Sequence, residues 1–245
     1  MKIFVLSLKR STERRERIEA ALSAANIDFE FFDAITPQEL SHEQRSRLNP
    51  AKTRYLKGYE LTEGEIACFF SHMAIWQWSV QHKQDVLVLE DNVDIHQQFA
   101  SFVTDLSKAR PPLMKSRTLI KLAASKKGVP FKKASCLNDT FALGTYVRPT
   151  TGAMGYLIST TAAQSLIEHA KEILAPVDDY MEKVWIHKVN IVSVYPDVVS
   201  RAAIPSTIGR IRKNKITLTL ADKMLIEAFR FYEQMRRKVY TLINR

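Results

Sequence analysis

The chain has little cysteine: Cys68 and Cys136 are the only two in 245 residues. Far apart and at no metal-ligand spacing, they argue against a disulfide framework and against a zinc site, and they make a reducing compartment the expectation. Long apolar runs are missing too. None reaches the roughly 18 residues that a membrane-spanning helix needs, and there is no internal repeat or low-complexity tract. The opening Met1-Lys-Ile-Phe-Val-Leu-Ser-Leu8 is a short apolar run met at once by Lys9 and Arg10. It reads as a first β-strand rather than a signal peptide, which places the expected location in the cytoplasm. Negative charge is also short, since 26 Asp and Glu against 36 Lys and Arg leave a net charge of +10.

What is present suits a globular α/β protein. Hydrophobic residues make up 46% and charged residues 25%, and the length fits one large domain or a domain with an appendage. The pattern predicts a strand over 2–8, a helix over about 12–25, a strand over 29–32 and a polar stretch through 57. Thr62 as N-cap with Glu65 three residues on predicts a helix over 62–82, because the two side chains can satisfy each other's backbone N–H. A strand over 86–89 follows, then a helix over about 96–108 and a break at Pro111 and Pro112. Further on come strands over 118–123, 141–147 and 153–158, helices over 160–174 and 178–188, and a strand over 191–195 ended by Pro196. Lys126, Lys127, Lys132 and Lys133 mark a basic, turn-rich loop. This alternation argues for a mostly parallel central sheet.

The most informative segment is Asp85-Val-Leu-Val-Leu-Glu-Asp-Asn-Val-Asp94. An apolar run of the kind that fills a central parallel strand leads straight into a cluster of acids. Carboxylates there sit at the sheet edge where open α/β folds bind ligands. Packed acids repel unless a positive group lies between them, and a divalent cation held by hard oxygen ligands is the usual one. The alternative is a solvated turn whose Asp and Asn cap the next helix.

Four stretches together resemble glycosyltransferase family 25. They are Ser7-Leu-Lys-Arg-Ser-Thr-Glu-Arg-Arg15, Leu61-Thr-Glu-Gly-Glu-Ile-Ala-Cys-Phe-Phe-Ser-His72, Leu87-Val-Leu-Glu-Asp-Asn-Val93, and Gly155-Tyr-Leu-Ile-Ser159 with Pro176-Val-Asp178. The resemblance implies a GT-A-like nucleotide-binding domain over 1–208 with a basic helical extension over 209–245. The activity implied is inverting transfer of a hexose, galactose first, from a UDP-sugar to a lipid-linked saccharide of bacterial lipooligosaccharide or lipopolysaccharide. Donor contacts are implied for Arg10, Arg14, Arg15, Gly64, Glu65, Ser71, His72, Glu90 and Asp91, and a divalent metal, Mn²⁺, for Asp91, Asn92 and Asp94. Asn92 stands where the family has a second Asp, so the site brings less charge. Asp178 is the implied general base, with Asp179 its rival and helix N-capping the alternative for both. His72 otherwise reads as a hydrogen-bonded core residue, and the arginines as a solvated helix face.

Ten Lys or Arg against three acids follow from Arg210 to the end. Leu225, Ile226, Phe229, Tyr232, Met235, Val239 and Leu242 recur there at near-helical spacing, among Arg230, Arg236, Arg237 and Lys238. Such a helix suits an anionic membrane surface, its own core or a partner subunit. A nucleic-acid or anionic-polymer binder is a rival reading of the charge, although no reader motif is recognised and the acid cluster would oppose a phosphate backbone unless it held a metal. A degenerate transferase serving as a scaffold is another, motivated by Asn92.

Overall fold

The predicted alternation of strands and helices is present. The computed structural model describes residues 1–114, 116–124, 128–205, 214–215 and 218–243. The first half holds β1 (Lys2–Ser7), α1 (Thr12–Ala24), β2 (Glu30–Asp33), a 3-10 turn (Pro37–Glu39), α2 (His42–Ser46) and α3 (Pro50–Lys57). β3 (Tyr59–Glu60), α4 (Glu63–Gln81), β4 (Val86–Glu90), β5 (Val93–Ile95) and α5 (Phe99–Leu113) follow. The second half holds β6 (Thr118–Lys121), β7 (Phe131–Cys136), β8 (Ala142–Tyr146), β9 (Gly155–Ile158), α6 (Thr160–His169), α7 (Val177–Met181) and α8 (Val184–His187). It ends with β10 (Asn190–Tyr195), β11 (Val199–Arg201), β12 (Asn214–Lys215) and α9 (Leu220–Ile243).

Eight strands form one sheet in the order β2-β1-β4-β9-β6-β10-β8-β7. Only β9 and β8 run against the rest, so the sheet is mostly parallel. The four residues Val86 to Leu89 are fully buried. Val86 and Val88 join the core beneath α4 and α6, while Leu87 and Leu89 join the core beneath α1 and α5. A strand covered on both faces needs no polar alternation, and each such side chain contributes roughly 1.5–3 kcal/mol on burial.

The connections place the crevice. From β1 the chain passes through α1 to β2 on one side, then returns through α4 to β4 on the other side of β1. Ile18 and Leu22 of α1 are buried on one sheet face, and Phe69, Met73 and Trp76 of α4 on the opposite face. Strand order therefore reverses between β1 and β4, and an open sheet leaves a crevice at such a point, outside the strand carboxyl ends. α4 begins as predicted: Glu65 N–H donates to Thr62 Oγ1 at 3.3 Å and Thr62 N–H to Glu65 Oε2 at 3.0 Å.

Other details differ from the pattern. The acid turn leads into β5, which pairs with β11, and α5 starts only at Phe99. α5 continues to Leu113, past the predicted end near residue 108, so Pro111 and Pro112 fall in its last turn and the break comes after them. Lys132 and Lys133 belong to the edge strand β7 rather than to a loop, and lysines on an edge oppose pairing with other chains. Lys126 and Lys127 lie outside the described residues. The helix over 178–188 is two short ones, α7 and α8.

The C-terminal segment is helical, but its apolar residues occupy two faces. Ile226 is buried, Phe229 and Tyr240 lie beneath Lys57 and Lys188, and Glu233 pairs with Lys57 and Lys183, so this face docks on α3 and α8. Leu220, Met224, Phe231 and Met235 face solvent. Gly58 caps α3 at φ 73°, and a Cβ there would stand 2.7 Å from Ile226 Cδ1. The left-handed turn favours glycine, and any side chain there would push Ile226 of α9 aside. Among the described residues no helix is long and apolar enough to cross a membrane.

Burial pushes the His187 imidazole down to about 4. Its Nδ1 accepts from Val189 N–H at 3.1 Å, so Nε2 carries the proton and donates to the Met181 carbonyl at 3.0 Å. An unfolded histidine titrates near 6.5. Below that value the unfolded chain holds the extra proton, so this contribution is full above about pH 6.5 and declines toward about pH 4. Urea denaturation at about pH 5 should give a stability roughly 2 kcal/mol below that at about pH 7.5. His187→Asn should shrink that difference; an unchanged difference would locate the pH dependence elsewhere.

Candidate active site

β1 and β4 are parallel neighbours with Leu6 opposite Glu90, and Asp91 N–H donates to the Leu6 carbonyl at 3.2 Å. Both strands therefore end at the same edge, and a cleft opens there. Its walls are Leu6 to Leu8 with Arg10 and Arg14, the segment Ala34, Ile35 and Pro37, one face of α4, and Glu90 to Asn92. Gly64, Ala67, Cys68 and Ser71 supply the α4 wall, and their three- and four-residue spacing keeps them on one side of the helix. Ser71 Oγ accepts from Ile35 N–H at 2.9 Å and donates to the Ala67 carbonyl at 2.7 Å, tying two walls together.

Asp91 lies on the cleft floor. Its Oδ2 accepts from Ser7 Oγ at 2.7 Å and its Oδ1 from Arg14 at 3.0 Å. The side chains of Asp91 and Arg14 are 9% and 14% exposed, so the pair is largely desolvated and removing either partner strands a charge. Arg10 is exposed at the cleft wall. Arg15 turns the other way: it pairs with Asp33, donates to the Ser7 carbonyl at 2.9 Å and lies 4.7 Å from the Phe31 ring centroid. Arg17, which sequence reasoning passed over, donates to the Asp91 and Val93 carbonyls, each at 2.8 Å, and to Asp94 at 2.6 Å.

Glu90 connects the cleft to the core. Asn92 Nδ2 donates to its Oε2 at 3.0 Å, and His72 Nε2 stands 3.5 Å from its Oε1. Burial alone would raise this carboxyl, but His72, Asn92 and the charge of Arg201 outweigh it and hold the group below the usual carboxylate range. Glu90 is thus ionised at neutral pH. His72 is fully buried, with Nδ1 2.8 Å from the Tyr156 hydroxyl, which also accepts from Trp76 Nε1 at 3.0 Å. Burial pushes the Tyr156 hydroxyl far above its ordinary range, so it stays protonated. Tyr156, on the neighbouring strand β9, was not legible as a partner of His72.

The structure separates the residues that the sequence grouped. Arg10, Arg14, Gly64, Ser71, Glu90, Asp91 and Asn92 line the cleft, and His72 backs its wall. Glu65 is the capping carboxylate of α4, and Arg15 straps α1 to β1 and β2. Asp178 and Asp179 stand in the first turn of α7, outside the cleft lining. Their charge, together with that of Glu65, adds to burial in raising the Tyr59 hydroxyl. The set Asp91, Asn92 and Asp94 does not fit a shared divalent cation as arranged. Both Asp91 oxygens are taken by Ser7 and Arg14, and Asp94 is 53% exposed and paired with Arg17. Asn92 Oδ1 is buried without a hydrogen-bond partner, which leaves one candidate ligand rather than three.

A family model described as glycosyltransferase family 25 (LPS biosynthesis protein) matches residues 1–181. A glycosyltransferase 25 family member of Aedes aegypti is 31% identical over 189 residues, covering 73% of this chain and 30% of the relative. Lipooligosaccharide biosynthesis protein lic2B of Haemophilus influenzae is 30% identical over 176 residues, 68% of this chain and 62% of the relative. Human procollagen galactosyltransferase 2 is 27% identical over 195 residues, 73% of this chain and 29% of the relative. The chain spans less than two thirds of the length of each of these relatives. A solved glycosyltransferase involved in glycosylation of the major capsid of PBCV-1 covers 94% of this chain and 100% of that one at 10% identity and a TM-score of 0.39, too distant to bear on the site.

Tyr156→Phe would leave the Trp76 N–H without its acceptor and His72 Nδ1 without its partner. Two unpaired buried groups should lower stability by roughly 2 kcal/mol or more, read from urea denaturation. A loss within experimental error would mean that water replaces the hydroxyl.

Proposed function

Because the chain belongs to glycosyltransferase family 25, we propose that it moves a hexose, with galactose the first sugar to test, from a UDP-sugar to a saccharide of bacterial lipooligosaccharide or lipopolysaccharide. Transfer proceeds with inversion in this reading. The observation that carries it is the cleft at the strand-order reversal, with Arg10 and Arg14 facing Glu90, Asp91 and Asn92. Two relatives, a lipooligosaccharide biosynthesis protein and a procollagen galactosyltransferase, support the acceptor class and the sugar.

In the reaction an acceptor hydroxyl oxygen attacks the anomeric carbon while the bond from that carbon to the diphosphate breaks. The leaving UDP takes the electron pair, and the hydroxyl proton passes to a carboxylate. Arg10 brings fixed positive charge to the cleft wall for the diphosphate, and Arg14 holds the Asp91 carboxylate in place. Asp178 is the proposed general base, with Asp179 as the alternative; both carboxylates sit in the first turn of α7 and are partly exposed.

A lipid-linked acceptor would hold the enzyme at an anionic membrane, and the outer face of α9 suits such a surface. Phe231 is 64% and Met235 42% exposed, with Arg230, Arg236 and Lys238 exposed beside them. Apolar area and Coulomb attraction then act together.

Calorimetric titration of UDP, UDP-galactose, UDP-glucose and UDP-N-acetylglucosamine is the direct check. Binding should occur in the wild type, weaken at least about tenfold in Arg10→Ala, equivalent to about 1.4 kcal/mol, and be lost in Asp91→Ala. Asp178→Asn should lower kcat with UDP-sugar affinity unchanged. No binding of any UDP ligand would sink the donor assignment. For the membrane, the pair Phe231→Ser and Met235→Ser should abolish pelleting with phosphatidylglycerol vesicles; equal pelleting would take α9 out of that role.

A further inference from the structure

Cys68 and His72 stand one turn apart on α4, and Glu90 ends β4 opposite them. One ligand atom from each side chain lies within 4.8 Å of the other two, and His72 Nε2 is 3.5 Å from Glu90 Oε1. Among the described residues no other three His, Cys, Asp or Glu side chains gather in this way. A separate observation points to a ligand. His72 is fully buried, yet its Nε2 has no hydrogen-bond partner although it faces a carboxylate. A buried ring nitrogen left without a bond is costly unless something else engages it.

We propose that Cys68 Sγ, His72 Nε2 and Glu90 Oε1 form a binding site for a borderline-soft divalent cation of the Zn²⁺ or Co²⁺ class. A thiolate, an imidazole and one carboxylate select such a cation over Mg²⁺ or Ca²⁺, which prefer all-oxygen ligands. Tetrahedral ligands at 2.0–2.3 Å from the metal are roughly 3.4–3.7 Å apart. The His72–Glu90 separation of 3.5 Å already meets that spacing, and Cys68 closes the remainder by rotating its side chain. Cys68 and Glu90 both line the cleft, so the fourth coordination position opens toward the space where a ligand would enter.

The surroundings complete the site. Asn92 holds Glu90 Oε2 and leaves Oε1 toward His72. The Tyr156 hydroxyl accepts from Trp76 and has a second lone pair for His72 Nδ1–H, the outer partner that orients a ligating histidine. On binding, the proton of His72 resides on Nδ1 and the Cys68 thiol releases its proton to solvent. The amide at position 92, which cannot supply a second charge for a hard cation, acts here as a donor that fixes a ligand. The site shares Glu90 with the cleft wall but takes no ligand from Arg10 or Asp91, so cobalt binding and UDP-sugar binding can fail separately.

The experiment is titration of Co²⁺ into the full chain after treatment with chelator. One equivalent should bind with a near-ultraviolet thiolate-to-cobalt charge-transfer band and tetrahedral visible bands, and Zn²⁺ should displace it. Cys68→Ser should abolish the charge-transfer band, and His72→Asn and Glu90→Gln should weaken binding by at least about tenfold. Cys136→Ser and Asp94→Ala should leave the spectrum intact. The proposal is overturned if the wild type gives no such band, or if the band persists in Cys68→Ser or disappears in Cys136→Ser. Far-ultraviolet circular dichroism of each variant separates loss of a ligand from loss of the fold, and the wild-type spectrum decides the matter even if one variant does not fold.

Discussion

One buried carboxylate holds the carboxyl ends of β1 and β4 in place. Asp91 takes the hydroxyl of Ser7 from the end of β1 and the guanidinium of Arg14 from α1. It therefore joins the first strand, the first helix and the central strand at the point where strand order reverses. Had the pair been exposed it would contribute little. With both side chains mostly desolvated, the orientation of each depends on the other. Arg17 extends the same logic by holding the turn after β4 through two carbonyls.

A second polar network fastens the C-terminal helix to the segment that carries Asp178. Glu233 lies between Lys57 and Lys183, and Glu182 between Lys121 and Arg237. Burial and the neighbouring Lys183 ammonium push Lys57 down to about 8 against the attraction of Glu233. Burial by itself would raise Glu233, but the two lysines lower it. Such groups set the seat of α9 more than they add net stability, since desolvation cancels much of the attraction. What they leave outward is an apolar face on a basic helix.

Cys68, His72 and Glu90 illustrate how site residues were partly visible in the chain. Cysteine and histidine four residues apart share a helix face, which spacing alone allows one to see. Glu90 and Tyr156 approach them only through strand pairing, β4 with β9. Reading the two cysteines by metal-ligand spacing missed the cluster because its ligands come from different elements. The arginines show the same limit. Arg14, Arg15 and Arg17 are neighbours in sequence, yet they engage Asp91, Asp33 and Asp94 respectively, because a helix turns each side chain about 100° from the last.

Sequence by itself determined the local elements, for reasons that act over a few residues. Val86 to Leu89 read as a strand of the kind that is covered on both faces, Thr62 and Glu65 as the opening of a helix, and Leu225 to Leu242 as a basic amphipathic helix. Tertiary structure decided what those elements bring together. The direction in which the chain leaves β2 for β4 made the crevice, the pairing of β4 with β9 delivered Tyr156 to His72, and the docking of α9 chose which of its apolar residues stay outside. Propensity, capping and periodicity are properties of neighbours along the chain. The environment of a carboxylate or an imidazole is a property of neighbours in space, and here most of those come from elements far apart in sequence.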